Sequence, residues 1–538
     1  MAVTLSAPGA RTGGHADAYA RLEECIVSRN QRDASDVFFE LVREGRPLPE
    51  LLREAVRIHA PYTHVPYHQR LDDGVVKFVN NDHCLLSARA TLRLTELMPA
   101  GFERLPMAQT IWYLPTGLDP WNQLLGNAPG HYTRMYKLDV SAAPPPPSVH
   151  WEDQEPLHLA GTFDERMNEW LTLVQRGEVV RAYRVFLGLF EDRANRRKLL
   201  AQLVFAGLID VQDRMLFNRS YTTGHKAYRA RATVELGNAI GWSRAHAVLY
   251  AGVPDIAVGP RWHSTYEMAA NVCQALLDGR DHDFRQNQGR LSPVEQVALE
   301  EMILSGREPH VQYQLTDLLK AGKGPRQILD VIQVAAAELM VQCGAPENYS
   351  MPQHVAEYCN TLRWFLDNFD HPHQVKLLYV AASLVNCAAH NQAADPKNGK
   401  RPVRRARGID GWGQQRLLER LDLALLARNT DESLALVSAY VRGAFDQAHL
   451  IQVLATAAAK FGNDPHNQEI CLSFLEDYPK SSADDRERLL FGCVMNLTGY
   501  RKYGDPLEAY NRYASAFGTP VAPDLPGDAP PEALLLDD

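Results

Sequence analysis

The sequence predicts an all-α protein, a repeat-like array of stacked helical hairpins with histidines at helix starts. Three observations predict it. Apolar residues recur at three- and four-residue spacing over long stretches. Alternating strand patterns are scarce, with residues 74–79 as the one short candidate. Separate stretches also match one another around histidine, which is how repeat architectures show themselves in sequence.

The elements follow in chain order. Residues 1–15 read as a disordered lead. Residues 16–142 read as an N-terminal helical domain with histidine- and aromatic-rich loops, beginning with a helical pattern at 16–40. Pro144 to Pro147 form a polyproline II linker and the clearest boundary. A central helical domain at 149–392 carries helical periods at 164–177, 178–206, 293–306 and 325–341. Residues 393–408 form a basic loop with Lys397, Lys400, Arg401, Arg404, Arg405 and Arg407, either a solvated loop or a contact for phosphate or an acidic partner. A C-terminal helical repeat spans 409–517, with a helix at 416–427, and 518–538 is an acidic, proline-rich tail.

Two alignments carry the repeat. Residues 373–392 match 449–468, pairing His373 with His449, Leu378 with Leu454, Ala381 with Ala457 and His390 with His466. Upstream, His83 through Leu94 matches His225 through Leu236, and Arg89 aligns with Arg231. Weaker units fall near His158 and His310. Histidine occupies about one position in 28 of this chain, so coincident pairs point to duplication.

A favoured N-cap residue stands three places before each marked histidine: Asn80, Thr222, Ser243, Asp370, Asp446 and Asn463. That spacing predicts each histidine at the third helical position, at the head of a buried apolar stripe. Burial and the positive helix start both disfavour imidazolium, so these side chains are expected to be neutral near pH 7. Neutral imidazole is the form that binds metal or accepts a proton. His83, His225, His373 and His449 are therefore the candidate metal ligands, if their helix starts converge. The structural alternative is that each only closes a cap. Arg89 and Arg231 fall off the histidine face and are expected in salt bridges or contacts between units.

Other features suggest pocket walls. His59, His64 and His68 share a loop with Tyr62 and Tyr67, where Pro61 and Pro66 disfavour a continuous helix. Trp112, Trp121 and His131 sit in or beside a Gly/Pro-rich stretch, Pro115 to Gly130. Tyr67, Trp112, Trp121 and His131 are accordingly the candidate substrate-binding residues, although packed loops would look the same. Phosphate-binding loops, nucleophile elbows and the His-Glu-x-x-His motif are absent. Eight scattered cysteines form no Cys-x-x-Cys and fit a reducing cytoplasm. A net charge of −9 gives no general pull toward nucleic acid or an anionic membrane, and no apolar run reaches membrane length.

The stretch from Gly224 to Leu249, GHKAYRARATVELGNAIGWSRAHAVL, with the other His-headed helices, resembles the questin oxidase-like proteins, a His-rich all-helical family with some Rieske-fused bacterial cousins. The resemblance covers mainly residues 200–265, with a looser echo at 370–470. It implies oxidation of an aromatic or carbonyl small molecule, and it carries over His225, His246, His373 and His449 as catalytic candidates. No Cys-x-His pair exists here, so a Rieske cluster is not expected. The functional expectation is a cytoplasmic oxidoreductase with a small-molecule substrate and a non-haem metal as candidate cofactor. Its electrons would come from a reduced nicotinamide or an electron-transfer protein. Two alternatives stay open: a helical-repeat scaffold that binds another protein, and a carrier holding haem or flavin among Trp112, Trp121 and Trp242.

Overall fold

The computed structural model describes residues 15–62, 65–67, 77–79, 83–117, 154–211, 224–257, 264–344, 350–399, 403, 408–409, 411–462, 465–499 and 505–520. The fold is all-α. The one sheet among the described residues is a two-stranded antiparallel pair, Val65–Tyr67 with Lys77–Val79, in which Val65 faces Val79. Pro66 lies within that strand, opposite Phe78. No described helix is long and apolar enough to cross a membrane.

Two expected long helices are each two helices. The pattern at 16–40 splits into His15–Val27 and Gln31–Arg43. Arg29 adopts φ 62° at the break, and the Asn30 side chain caps the second helix by accepting from the Asp33 amide. The pattern at 178–206 splits into Val179–Phe190 and Arg196–Ile209 across a charged connection. Elsewhere the local signals and the structure agree. Thr162 and Ser292 close capping boxes with Glu165 and Glu295, at the heads of Phe163–Arg176 and Pro293–Ser305.

Four helices form the centre: Cys84–Leu94, His225–Ile240, Ser350–Asn368 and His466–Asp477. Each packs on two of the others, so the four close a ring. They come from all three of the expected helical regions, and the buried apolar side chains of those regions belong to one continuous core. Around the ring lies a jacket: Leu105–Gly117 on the first helix, Arg196–Ile209 on the second, Pro325–Gln342 on the third and Glu487–Thr498 on the fourth. Contact between Arg196–Ile209 and the second helix is so close that a Cβ on Gly207 would lie 2.7 Å from the Ala227 backbone.

The ring is a parallel bundle. A histidine stands at or near the start of every helix, and these histidines are neighbours. Six to ten residues further along, Arg89, Arg231, Glu235, Asn360 and Glu476 meet in a second layer. The two layers come in the same order on all four helices, so all four run the same way. Six residues of helix put the layers about 9 Å apart. Parallel neighbours need long connections, and the jacket helices supply them.

Candidate metal centre

His83, His225, His354 and His466 form a closed cycle of ring contacts. Ring centroids are 5.1 Å apart for His83 and His225, 4.7 Å for His225 and His354, 5.4 Å for His354 and His466, and 4.5 Å for His466 and His83. Each side chain is placed by its own helix start. His83 is itself the N-cap residue of Cys84–Leu94, and its amide donates to the Tyr113 hydroxyl at 3.2 Å. His225 opens its helix directly after Gly224, whose φ of 95° suits glycine. A Cβ on Gly224 would also meet the Tyr228 hydroxyl at 2.2 Å. His466 opens its helix after Pro465, and His354 lies one turn into Ser350–Asn368.

Two carboxylates join the cycle from the same helices. Glu357 is three residues past His354 and Glu469 three past His466, the spacing that puts both members on one helix face. Glu469 is buried; its Oε2 lies 2.8 Å from His83 Nδ1, and its Oε1 accepts from the Ser87 hydroxyl at 2.9 Å. Glu357 Oε2 has no hydrogen-bond partner among the described residues. Burial first, then the charge of Glu469, pushes the Glu357 carboxyl up to about 8, so it holds its proton at neutral pH. Glu357, Glu469, Arg89, Arg231 and Tyr228 line a narrow void between the two layers.

The donor set fits an ion. One donor atom each from His83, His466 and Glu469 all lie within 4.8 Å of one another. Ligands on a common transition-metal ion sit about 2.0–2.2 Å from it, so a small contraction seats all three. Two imidazoles and one carboxylate are the facial set of non-haem iron(II) sites. His225 and His354 stand beside that set as further nitrogen donors.

The second layer has a different chemistry. Arg89 donates to both oxygens of Glu476 at 2.7 Å and to Glu235 at 2.6 Å. Arg231 donates to Glu476 at 2.7 Å and to Asn360 Oδ1 at 2.5 Å. Burial alone would raise the Glu476 carboxyl, but Arg231 and Arg89 together hold it well below the usual carboxylate range. Two guanidiniums face two carboxylates, so the layer is neutral and paired. The expected role of Arg89 and Arg231 as salt-bridging residues is what these contacts describe.

The other candidates sit elsewhere. His373 is half exposed in the turn before Lys376–Ala393, 3.8 Å from Asp281 and 3.3 Å from the Lys376 ammonium. His449 is more than half exposed, beside Asp446 and Gln414. Neither takes part in the ring cycle; each faces solvent and a polar neighbour. The expected third helical position belongs to His449 alone, after an Asp446 side chain that caps Gln447–Lys460. Ser243 lies in a 3₁₀ turn, and His246 instead opens the short helix His246–Gly252 after Ala245, its ring beside Tyr250. Asp370 does not cap either, because the helix after His373 starts only at Lys376. Asn80, Thr222 and Asn463 lie outside the described residues.

Trp112 is buried within Leu105–Gly117, not in a loop, and its carbonyl accepts from Gln31. Trp242 packs edge-on against Phe190 and donates to Asn238. Tyr67 ends the strand Val65–Tyr67. Trp121, His131, His64, His68, the polyproline stretch, the basic residues Lys400, Arg401, Arg404, Arg405 and Arg407, and the acidic tail beyond 520 lie outside the described residues.

The sequence reasoning missed His354, Glu357 and Glu469, and took His466 only as a secondary match. The signal was present as His-x-x-Glu, twice: His354 to Glu357 and His466 to Glu469. Comparison with protein-family models, curated proteins and solved structures gives no match to this chain.

Proposed function

We propose that the chain is a metal-dependent oxidoreductase acting on a small aromatic or carbonyl substrate. The ion is held by His83, His466 and Glu469, with His225 and His354 beside them, and iron(II) is the leading candidate. One observation carries this reading: three buried imidazoles, the half-buried His466 and a buried carboxylate converge at the head of a parallel bundle. A set of caps would not need to meet, and of the six marked histidines only His449 follows a capping N-cap residue at the third position. The resemblance to questin oxidase-like proteins points to the same reaction class, through His225 among the residues it carried over.

When bound, the ion supplies the redox chemistry. The chain supplies the rest. The imidazoles fix the ion's position, Glu469 sets its charge, and protonated Glu357 offers a proton at the void between the layers. Electrons come from a reduced nicotinamide or a partner electron-transfer protein. The eight free cysteines fit a cytoplasmic setting.

Elemental analysis tests the proposal. Full-length protein loaded anaerobically with iron(II) and desalted is expected to retain about one ion per chain. His83→Ala and His466→Ala are each expected to lose it. Wild-type protein that retains no transition metal, or variants that keep it, would sink the proposal.

A further inference from the structure

We infer that a second void, walled by Ser87, Gln109, Thr110, Tyr113 and Gln468, is a binding site for one small electropositive guest. That guest is a water molecule giving its hydrogens or a potassium-sized cation. The inference does not depend on the metal reading given above.

The void lies between Cys84–Leu94, Leu105–Gly117 and the start of His466–Asp477, and no charged side chain lines it among the described residues. It has room for about one guest of water's size. Gln109 is 3% exposed and Gln468 4%, and the Oε1 of each has no hydrogen-bond partner among the described residues. A buried amide oxygen without a donor is costly, and two of them wall this one space.

Turning the amides does not relieve that cost. Gln109 Nε2 donates to the Ala459 carbonyl at 2.6 Å and to the Lys460 carbonyl at 3.3 Å, and Gln468 Nε2 donates to the Pro106 carbonyl at 3.3 Å. A turned amide would set its oxygen against those carbonyls. The nearby hydroxyls do not relieve it either. Ser87 gives its hydrogen to Glu469 Oε1 at 2.9 Å, and Thr110 donates to the Ser87 carbonyl at 3.2 Å. Both therefore offer only lone pairs to the void, and the guest must supply hydrogens or positive charge. A water molecule can donate to both amide oxygens, and a potassium ion exchanges its hydration shell for neutral oxygens of this kind. Gly462 completes the wall. A Cβ there would lie 1.3 Å from Gln109 Oε1, so only glycine leaves that oxygen in place.

The test is a crystal structure of the full-length protein soaked in rubidium chloride, since rubidium stands in for potassium and scatters anomalously. Wild type is expected to show one density peak about 2.7–3.0 Å from both amide oxygens. An anomalous peak identifies the guest as a cation, and an equal peak without anomalous signal identifies it as water. A wild-type structure with no peak there overturns the inference. Gln468→Leu removes one of the two oxygens and is expected to lose the peak. Gly462→Ala should lose it as well, because the added Cβ pushes the Gln109 amide aside while every polar group stays in the chain; it serves if the leucine variant does not fold. A peak of undiminished height in either variant overturns the inference, because the amide oxygens would not be what holds the guest.

Discussion

The two polar layers of the central bundle are both largely buried and about 9 Å apart, yet they are built to opposite ends. In the lower layer every charge has its counter-charge: Arg89 and Arg231 against Glu235 and Glu476. In the upper layer four imidazoles meet one hydrogen-bonded carboxylate and one protonated carboxyl whose Oε2 is unpartnered. Paired charge ties helices together. The upper layer lacks that pairing, and on the reading proposed above a metal ion completes it. The difference teaches that burial of polar groups does not by itself mark a site; the balance of donors and acceptors does.

The largest effect should separate the layers. Glu476→Ala leaves Arg89 and Arg231 buried without their main partner, and loss of a buried partner costs about 3–5 kcal/mol. Urea unfolding measures it. His466→Ala should lose metal yet cost the metal-free chain much less. Equal destabilisation by the two changes would erase the distinction between the layers.

A smaller effect lies in pH dependence. Glu357 titrates near 8 in the folded chain against an ordinary 4.5. Between those values the folded state holds a proton that the unfolded state has released, so stability falls as pH rises through that window. Glu476 has the opposite sign: its depressed value gives stability above the ordinary carboxylate range that is lost as pH falls. In metal-free protein, Glu357→Gln should therefore flatten the decline in melting temperature between about pH 5 and 8. An unchanged slope would remove Glu357 from the upper layer's account.

The smallest effect should be at the exposed histidines. His373→Ala and His449→Ala are expected to change stability by no more than about 0.5 kcal/mol and leave the metal content alone. Metal loss in either variant would reopen the comparison between the buried and exposed histidines.

How much was legible in the sequence follows from these residues. His83 and His225 stood out because each heads a helix with an arginine six residues on, and both belong to the ring. His373 and His449 stood out on equal grounds, yet both are half exposed. Pattern matching registers spacing along the chain, and spacing is the same for a helix start that faces the bundle and one that faces solvent. Glu357 and Glu469 were hidden because one carboxylate near one histidine is commonplace. Their meaning lies in contacts across 386 residues for His83 with Glu469 and 382 for Ser87 with Glu469.

By itself the sequence determined most of the helices, the Asp446 cap and the presence of histidines at several helix starts, because these depend on local periodicity and capping. Only the tertiary structure decided which starts meet. Four parallel helices drawn from distant parts of the chain converge through packing of the jacket between them, and no local pattern encodes that choice.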